Sequence, residues 1–218
     1  MARSNKLTLG EREVQLGRVF NTEPGLLLKI PKNFSDLKEI ALRHYEAGGK
    51  VRANGEIEPL RDDNLINEVK TLLRGYNGIT WVQRYPIVRL KPTRNSGRYD
   101  SSWIHSDMWS GNPPGAIIMI PITGDIENGG VEFYRPTKNI DLMDMEYPTY
   151  QDVPDFGPEY IGKMEPGFMH VVDAYCLHRT MPGMDRISVD FRIHFGGMDR
   201  LSKRARNYEI WDDMEGRN

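Results

Sequence analysis

The chain has 218 residues, of which 39% are hydrophobic and 28% charged, enough for one well-buried core. A formal net charge of -2, from 29 basic and 31 acidic residues, supplies no field to draw the protein to nucleic acid or an anionic membrane. The single cysteine, Cys176, excludes an intramolecular disulfide and any zinc site built from several thiolates.

The opening residues "MARSNKLTLGEREVQ" lack the apolar stretch of a secretory signal, and no apolar run approaches the ~20 residues of a spanning helix. A reducing, cytoplasmic setting is the expectation. Segment 1–78 reads as supporting helices. Ser35 caps "DLKEIALRHYEA", where Leu37, Ile40, Ala41 and Tyr45 share a face and Gly48-Gly49 end the run. In "RDDNLINEVKTLLRG", Asp62 and Asp63 sit at the positive end of a helix dipole. Leu65, Ile66, Val69, Leu72 and Leu73 line one stripe there, and Gly75 closes the helix.

From residue 79 the texture changes to short stretches rich in β-branched and aromatic residues: "ITWVQRYPIVRLKP", "SSWIHSD", "GAIIMIPI", "GVEFYRP", "GFMHVVDAYCLH" and "RISVDFRIHF". Gly, Pro and Asn-Gly punctuate them, which predicts an antiparallel jelly roll or barrel over 79–196. "GFMHVVDAYCLH" reads as one strand ending near His178. The acidic, Tyr- and Pro-rich segment 139–167 has no clean period and reads either as a lid or as a plain surface loop. The tail, 197–218, contains "LSKRARNYEIWDDM", which suits a short helix with a solvated KRAR face. No linker or repeat divides the chain, so 1–218 reads as a single domain.

In "SSWIHSDMWSG" (101–111), His105 and Asp107 stand two apart and project to one side of a strand, with Ile104 and Ser106 facing away. Farther on, His178 is followed by a Pro-Gly turn and a return strand where Arg186, Ser188, Asp190 and Arg192 alternate with Ile187, Val189, Phe191 and Ile193. Arginines on an inward face need an anion, or else the strand is half exposed and Arg192 pairs with Asp190 or Glu132. Two histidines and one carboxylate suit non-haem Fe(II), leaving one face of the metal for substrates. His170 is an alternative ligand, better read as a core or supporting histidine. His194 and His44 read as packed or exposed. Trp103 and Trp109 flank the metal pair and are candidates to wall the site. Among Arg84, Arg89 and Lys91, Arg89 interrupts an apolar strand and is the candidate for contact with a polar substrate.

His105-x-Asp107, a distant His178, and Arg186-x-Ser188 together resemble the Fe(II)/2-oxoglutarate-dependent oxygenase superfamily. "DIENGGVEF" (125–133) resembles a strand and turn of its phytanoyl-CoA dioxygenase-like branch, and the block 80–196 is similar to small oxygenases of antibiotic and sugar biosynthesis. The resemblance implies a double-stranded β-helix (cupin-like jelly roll) with flanking helices. It implies Fe(II) held by His105, Asp107 and His178, and 2-oxoglutarate gripped by Arg186 with Ser188, or by Arg192. O2 is the oxidant, and succinate and CO2 are released. Halogenating members lack the carboxylate that Asp107 supplies here, so the resemblance implies a hydroxylase, acting on a C-H bond of a small polar metabolite. Two readings compete with it: a cupin-like metal enzyme that uses no oxoacid, and a non-catalytic jelly-roll binding module. Substrate identity and oligomeric state are not written in these motifs.

Overall fold

A computed structural model describes residues 28–31, 39, 43, 63–74, 76, 78–90, 104–107, 115–124, 130–136, 158–165, 167–181, 186–195 and 207–211. The strands are β1 (Leu28–Pro31), β2 (Trp81–Gln83), β3 (Ile87–Leu90), β4 (Gly115–Gly124), β5 (Val131–Pro136), β6 (Pro158–Lys163), β7 (Phe168–Asp173), β8 (Leu177–Thr180), β9 (Arg186–His194) and β10 (Tyr208–Ile210). One helix, α1 (Asp63–Leu73), is described in full. A larger antiparallel sheet runs β1-β7-β4-β9-β2-β10 with β3 also on β9; a smaller one runs β6-β5-β8. This is the jelly roll that the strand pattern predicts.

β4 shows how the sequence builds the two layers. Residues Ala116 to Ile120 are all buried, and their side chains divide by the period of two that any strand imposes. Ala116, Ile118 and Ile120 join Val69 and Leu73 of α1 in a core on one face, with Val189 and Ile193 of β9. Ile117 and Met119 point the other way, into a second core with Val131 and Phe133 of the smaller sheet. A strand covered on both sides has no polar face, which is why "GAIIMIPI" reads as a continuous apolar run. Pro121 has no N-H to give, and the β4-β9 register shifts just after it, between Pro121 and Thr123.

Gly115 stands opposite His194 at the start of this pairing. A Cβ placed there would overlap the carbonyl oxygen of Ile193 and lie 2.7 Å from His194 Nδ1, so β4 and β9 would have to separate. Gly115→Ala is expected to lower stability by about 1–3 kcal/mol or more, read as a fall in the urea midpoint with the slope unchanged.

Several expectations need correction. Segment 1–78 holds more than helices, since β1 pairs with β7 at a sheet edge. Glu39 and Arg43 are helical, while Ser35, Gly48, Gly49 and the rest of that stretch lie outside the described residues. α1 matches its sequence pattern, with Asp63 in the first turn and Val69 and Leu73 buried. Segment 139–167 contains β6, which pairs with β5, so 158–163 belongs to the sheet; 139–157 and 166 lie outside the described residues. In the tail, "YEI" forms β10 against β2 in place of a helix. Tyr208 is buried with its ring edge-on to His194, centroids 4.6 Å apart, and Glu209 pairs with Lys70 of α1. Tertiary pairing there overrides a weak local helical preference.

"GFMHVVDAYCLH" is two strands, not one. Asp173 ends β7: its Oδ1 accepts from the Tyr175 N-H at 2.9 Å, and its carbonyl accepts from the Cys176 N-H at 2.8 Å. Such a side-chain-to-backbone bond two residues on is a turn device. It carries the chain from the larger sheet to the smaller one. No described helix is long and apolar enough to cross a membrane.

Candidate metal centre

His178 lies on β8, opposite Phe133 of β5. His105 is joined to it by a single antiparallel bridge in which each main chain donates to the other, at 2.9 and 2.8 Å. The sequence reading placed "SSWIHSD" on a strand; the structure provides one bridged residue, after which Asp107 begins a tight turn. The i, i+2 relation still works. Ser106, between the two, is buried and turns its hydroxyl away to the Ala174 carbonyl at 3.1 Å.

One donor atom from each of His105, Asp107 and His178 lies within 4.8 Å of the others, and among the described residues this is the one such group able to hold a metal ion. The rings of His105 and His178 have centroids 4.3 Å apart. His178 Nδ1 is 3.0 Å from the carbonyl oxygen of Cys176. A carbonyl only accepts, so the neutral ring carries its proton on Nδ1 and leaves the Nε2 lone pair for a metal. That Nε2 is 3.8 Å from Asp107 Oδ1. The donor set, two imidazoles and a carboxylate, fits non-haem Fe(II).

Asp107 Oδ2 accepts from Arg192 Nη2 at 2.5 Å. Burial works against ionisation of Asp107, but the guanidinium and the two imidazoles outweigh it and hold the carboxyl well below the usual carboxylate range. Arg192 thus pairs with Asp107, a partner that the sequence reading did not name. Glu132 is taken by Arg179 at 2.8 Å.

The cavity beside the cluster is lined by Ile87, Ile117, Met119 and Val131 as apolar wall, with Gln83, Thr180, Asp190 and Arg192 as polar points. Gln83 and Thr180 were not singled out from sequence, and Asp190 was read only as a possible partner of Arg192. For Gln83 the available signal was parity: it faces inward opposite Arg192, and its Oε1 accepts the Arg192 N-H at 3.1 Å, while neighbouring Arg84 is exposed. Ser188 is buried, and its hydroxyl has no hydrogen-bond partner among the described residues. Arg89 stands opposite Ser188 in register, and Arg186 opposite Gly124. The side chains of Arg89 and Arg186, and all of Trp103, Trp109, His44 and Lys91, lie outside the described residues.

His170 is buried on β7, in the other sheet from His178, and takes no part in the cluster. Its Nε2 is 2.9 Å from the Glu165 N-H. Burial, with a contribution from Lys29, lowers its pKa. A folded pKa below the unfolded value of about 6.5 means that the unfolded chain takes up a proton the folded chain refuses. Its contribution to stability is full above about pH 6.5 and is lost as pH falls toward and through the folded pKa. The melting temperature is expected to drop between about pH 7 and 5.5, and less steeply in His170→Phe. His194 is buried against Tyr208, as a packed histidine.

No protein-family model matches the chain, and the search of curated proteins gives no significant match. Solved structures do match in fold. The epimerase SnoN, in complex with Fe3+, alpha ketoglutarate and nogalamycin RO, aligns at 13% identity and TM-score 0.53 over 86% of this chain and 83% of its own. A prolyl hydroxylase from Trichoplax adhaerens, in complex with a peptide fragment of the hypoxia inducible factor oxygen degradation domain, aligns at 11% identity and TM-score 0.50. That match covers 92% of this chain and 98% of the hydroxylase. EvdMO1 aligns at 16% identity and TM-score 0.53, with this chain covering 50% of its length. At these identities the likeness is one of architecture: the chain has the jelly-roll fold of these enzymes, with two imidazoles and a carboxylate gathered at its cavity.

Proposed function

We propose that the chain is an Fe(II)- and 2-oxoglutarate-dependent oxygenase that hydroxylates a C-H bond of a small polar metabolite. The observation that carries this reading is the convergence of His105, Asp107 and His178, from separated segments, on one point at the cavity. Within that superfamily, "DIENGGVEF" supports the phytanoyl-CoA dioxygenase-like branch. When bound, iron(II) with 2-oxoglutarate and O2 supplies the oxidation of the substrate C-H bond, with release of succinate and CO2.

The chain's own residues do the rest. The Cys176 carbonyl holds the His178 ring in the tautomer that presents Nε2, and the main-chain bridge fixes His105 beside it. Arg186 and Ser188 would take the far carboxylate of 2-oxoglutarate. The buried, unpartnered Ser188 hydroxyl favours that end of β9, since such a group is costly unless a ligand satisfies it. Ile87, Ile117, Met119 and Val131 exclude water from the reacting bond. Gln83, Thr180 and Asp190 favour a polar substrate over a lipid, with Arg89, Trp103 and Trp109 proposed as further contacts. We place the enzyme in a reducing, cytoplasmic setting, as one domain.

Anaerobic titration with Fe(II) and 2-oxoglutarate tests the reading. A weak visible charge-transfer band is expected at about one iron per chain, followed by succinate release in a metabolite screen. A protein that takes up neither iron nor 2-oxoglutarate would sink it.

A further inference from the structure

We propose that Arg192 is a positioning residue for Asp107: it holds one carboxylate oxygen so that only the other is offered to the metal. The inference rests on the Fe(II)/2-oxoglutarate reading above and deepens it. The two oxygens of Asp107 already face different partners. Oδ2 takes a charge-assisted bond from Arg192 Nη2 at 2.5 Å, while Oδ1 is the oxygen 3.8 Å from the metal-binding nitrogen of His178. Both side chains are largely withdrawn from water, with 16% and 17% of their surface exposed, so the pair is neither loose nor strongly screened.

The base of the arginine is anchored as well. Arg192 lies mid-sheet, opposite Ile117 of β4, and its N-H donates to the Gln83 side chain at 3.1 Å. The guanidinium therefore approaches Asp107 from a fixed strand, across 85 residues of sequence.

This contact also separates Arg192 from the role of diacid clamp. A 2-oxo acid that chelates a metal through its keto and adjacent carboxylate oxygens carries its second carboxylate two methylenes away. The cation that receives it must stand beyond the metal's ligands, not in direct bond to one of them. Arg192 is bonded to a ligand; Ser188 lies four residues, or about 13 Å of strand, farther along β9. A carboxylate with both oxygens free can take a metal through both, and a strong hydrogen bond to one of them favours binding through the other. With a metal bound, Asp107 would then contribute one oxygen, and Arg192 would keep the other.

Three measurements on Arg192→Met and Arg192→Lys decide the matter: the visible spectrum of the Co(II)-loaded protein without 2-oxoglutarate, the KM for 2-oxoglutarate, and kcat. Arg192→Met is expected to change the Co(II) spectrum and to lower kcat about 10- to 100-fold, with KM within about threefold of the parent. Arg192→Lys, which keeps a charged donor, is expected to retain the parent spectrum and most of kcat; it carries the test if Arg192→Met does not fold. An unchanged Co(II) spectrum with KM raised about tenfold or more would assign Arg192 to the diacid instead and overturn the proposal. A lowered melting temperature with spectrum, KM and kcat all unchanged would also overturn it, leaving a structural ion pair. Parent protein that binds neither Co(II) nor 2-oxoglutarate would overturn the oxygenase reading, and this inference with it.

Discussion

His178→Ala is expected to abolish succinate formation, by about 100-fold or more, and to weaken Fe(II) binding by more than about tenfold. Loss of a group that merely supports a metal ligand already costs about 10- to 100-fold, and loss of the ligand itself costs at least as much. The fold is expected to survive, because what ties β8 to residue 105 is a pair of main-chain hydrogen bonds that the substitution leaves in place. Iron content after dialysis, read beside circular dichroism, separates loss of the ligand from loss of the fold. Full iron occupancy in a folded His178→Ala protein would remove His178 from the centre.

Phe133→Ala is expected to destabilise the protein by about 3–5 kcal/mol, the range for emptying the site of a fully buried aromatic ring. Phe133 is 0% exposed and lies in the inner core with Ile117 and Met119 of the facing sheet. It is also the residue paired with His178 across β5 and β8. The cavity would therefore loosen one side of the metal centre together with the sheet packing, and weaker iron binding should accompany the lower urea midpoint. A loss of stability below about 1 kcal/mol would mean that the two sheets close over the gap, contrary to dense packing of the core.

Much of the site was legible because its chemistry is local in sequence. His105 and Asp107 belong to a single short segment, and their i, i+2 spacing brings both to the centre although His105 is the one bridged residue there. The alternation of β9 announced one apolar and one charged face, and Val189, Phe191 and Ile193 are the residues buried against α1 and the larger sheet. Less was legible where a short stretch has two possible environments. "VVDAYC" has a lone Asp and no Gly or Pro to mark a change of sheet, and only the turn that Asp173 makes in the structure reveals it. "YEI" carries too few residues for any period to show, so its pairing with β2 decided its form.

What the sequence determined by itself is the inventory and its spacing: short strands with turn signals, amphipathic helical stretches, an HxD pair, a later histidine, and arginines alternating along a strand. Those follow from side-chain periodicity and backbone preference, which act over a few residues. The tertiary structure alone decided which partners meet. Whether Arg192 would face Asp190, Glu132 or Asp107 depended on how β9 stacks beside the turn after His105, a relation between segments 85 residues apart that no local pattern encodes. The assignment of a separate oxygen of Asp107 to each neighbour has the same origin, because only close packing of two sheets around one cavity fixes distances between side chains so far apart in the chain.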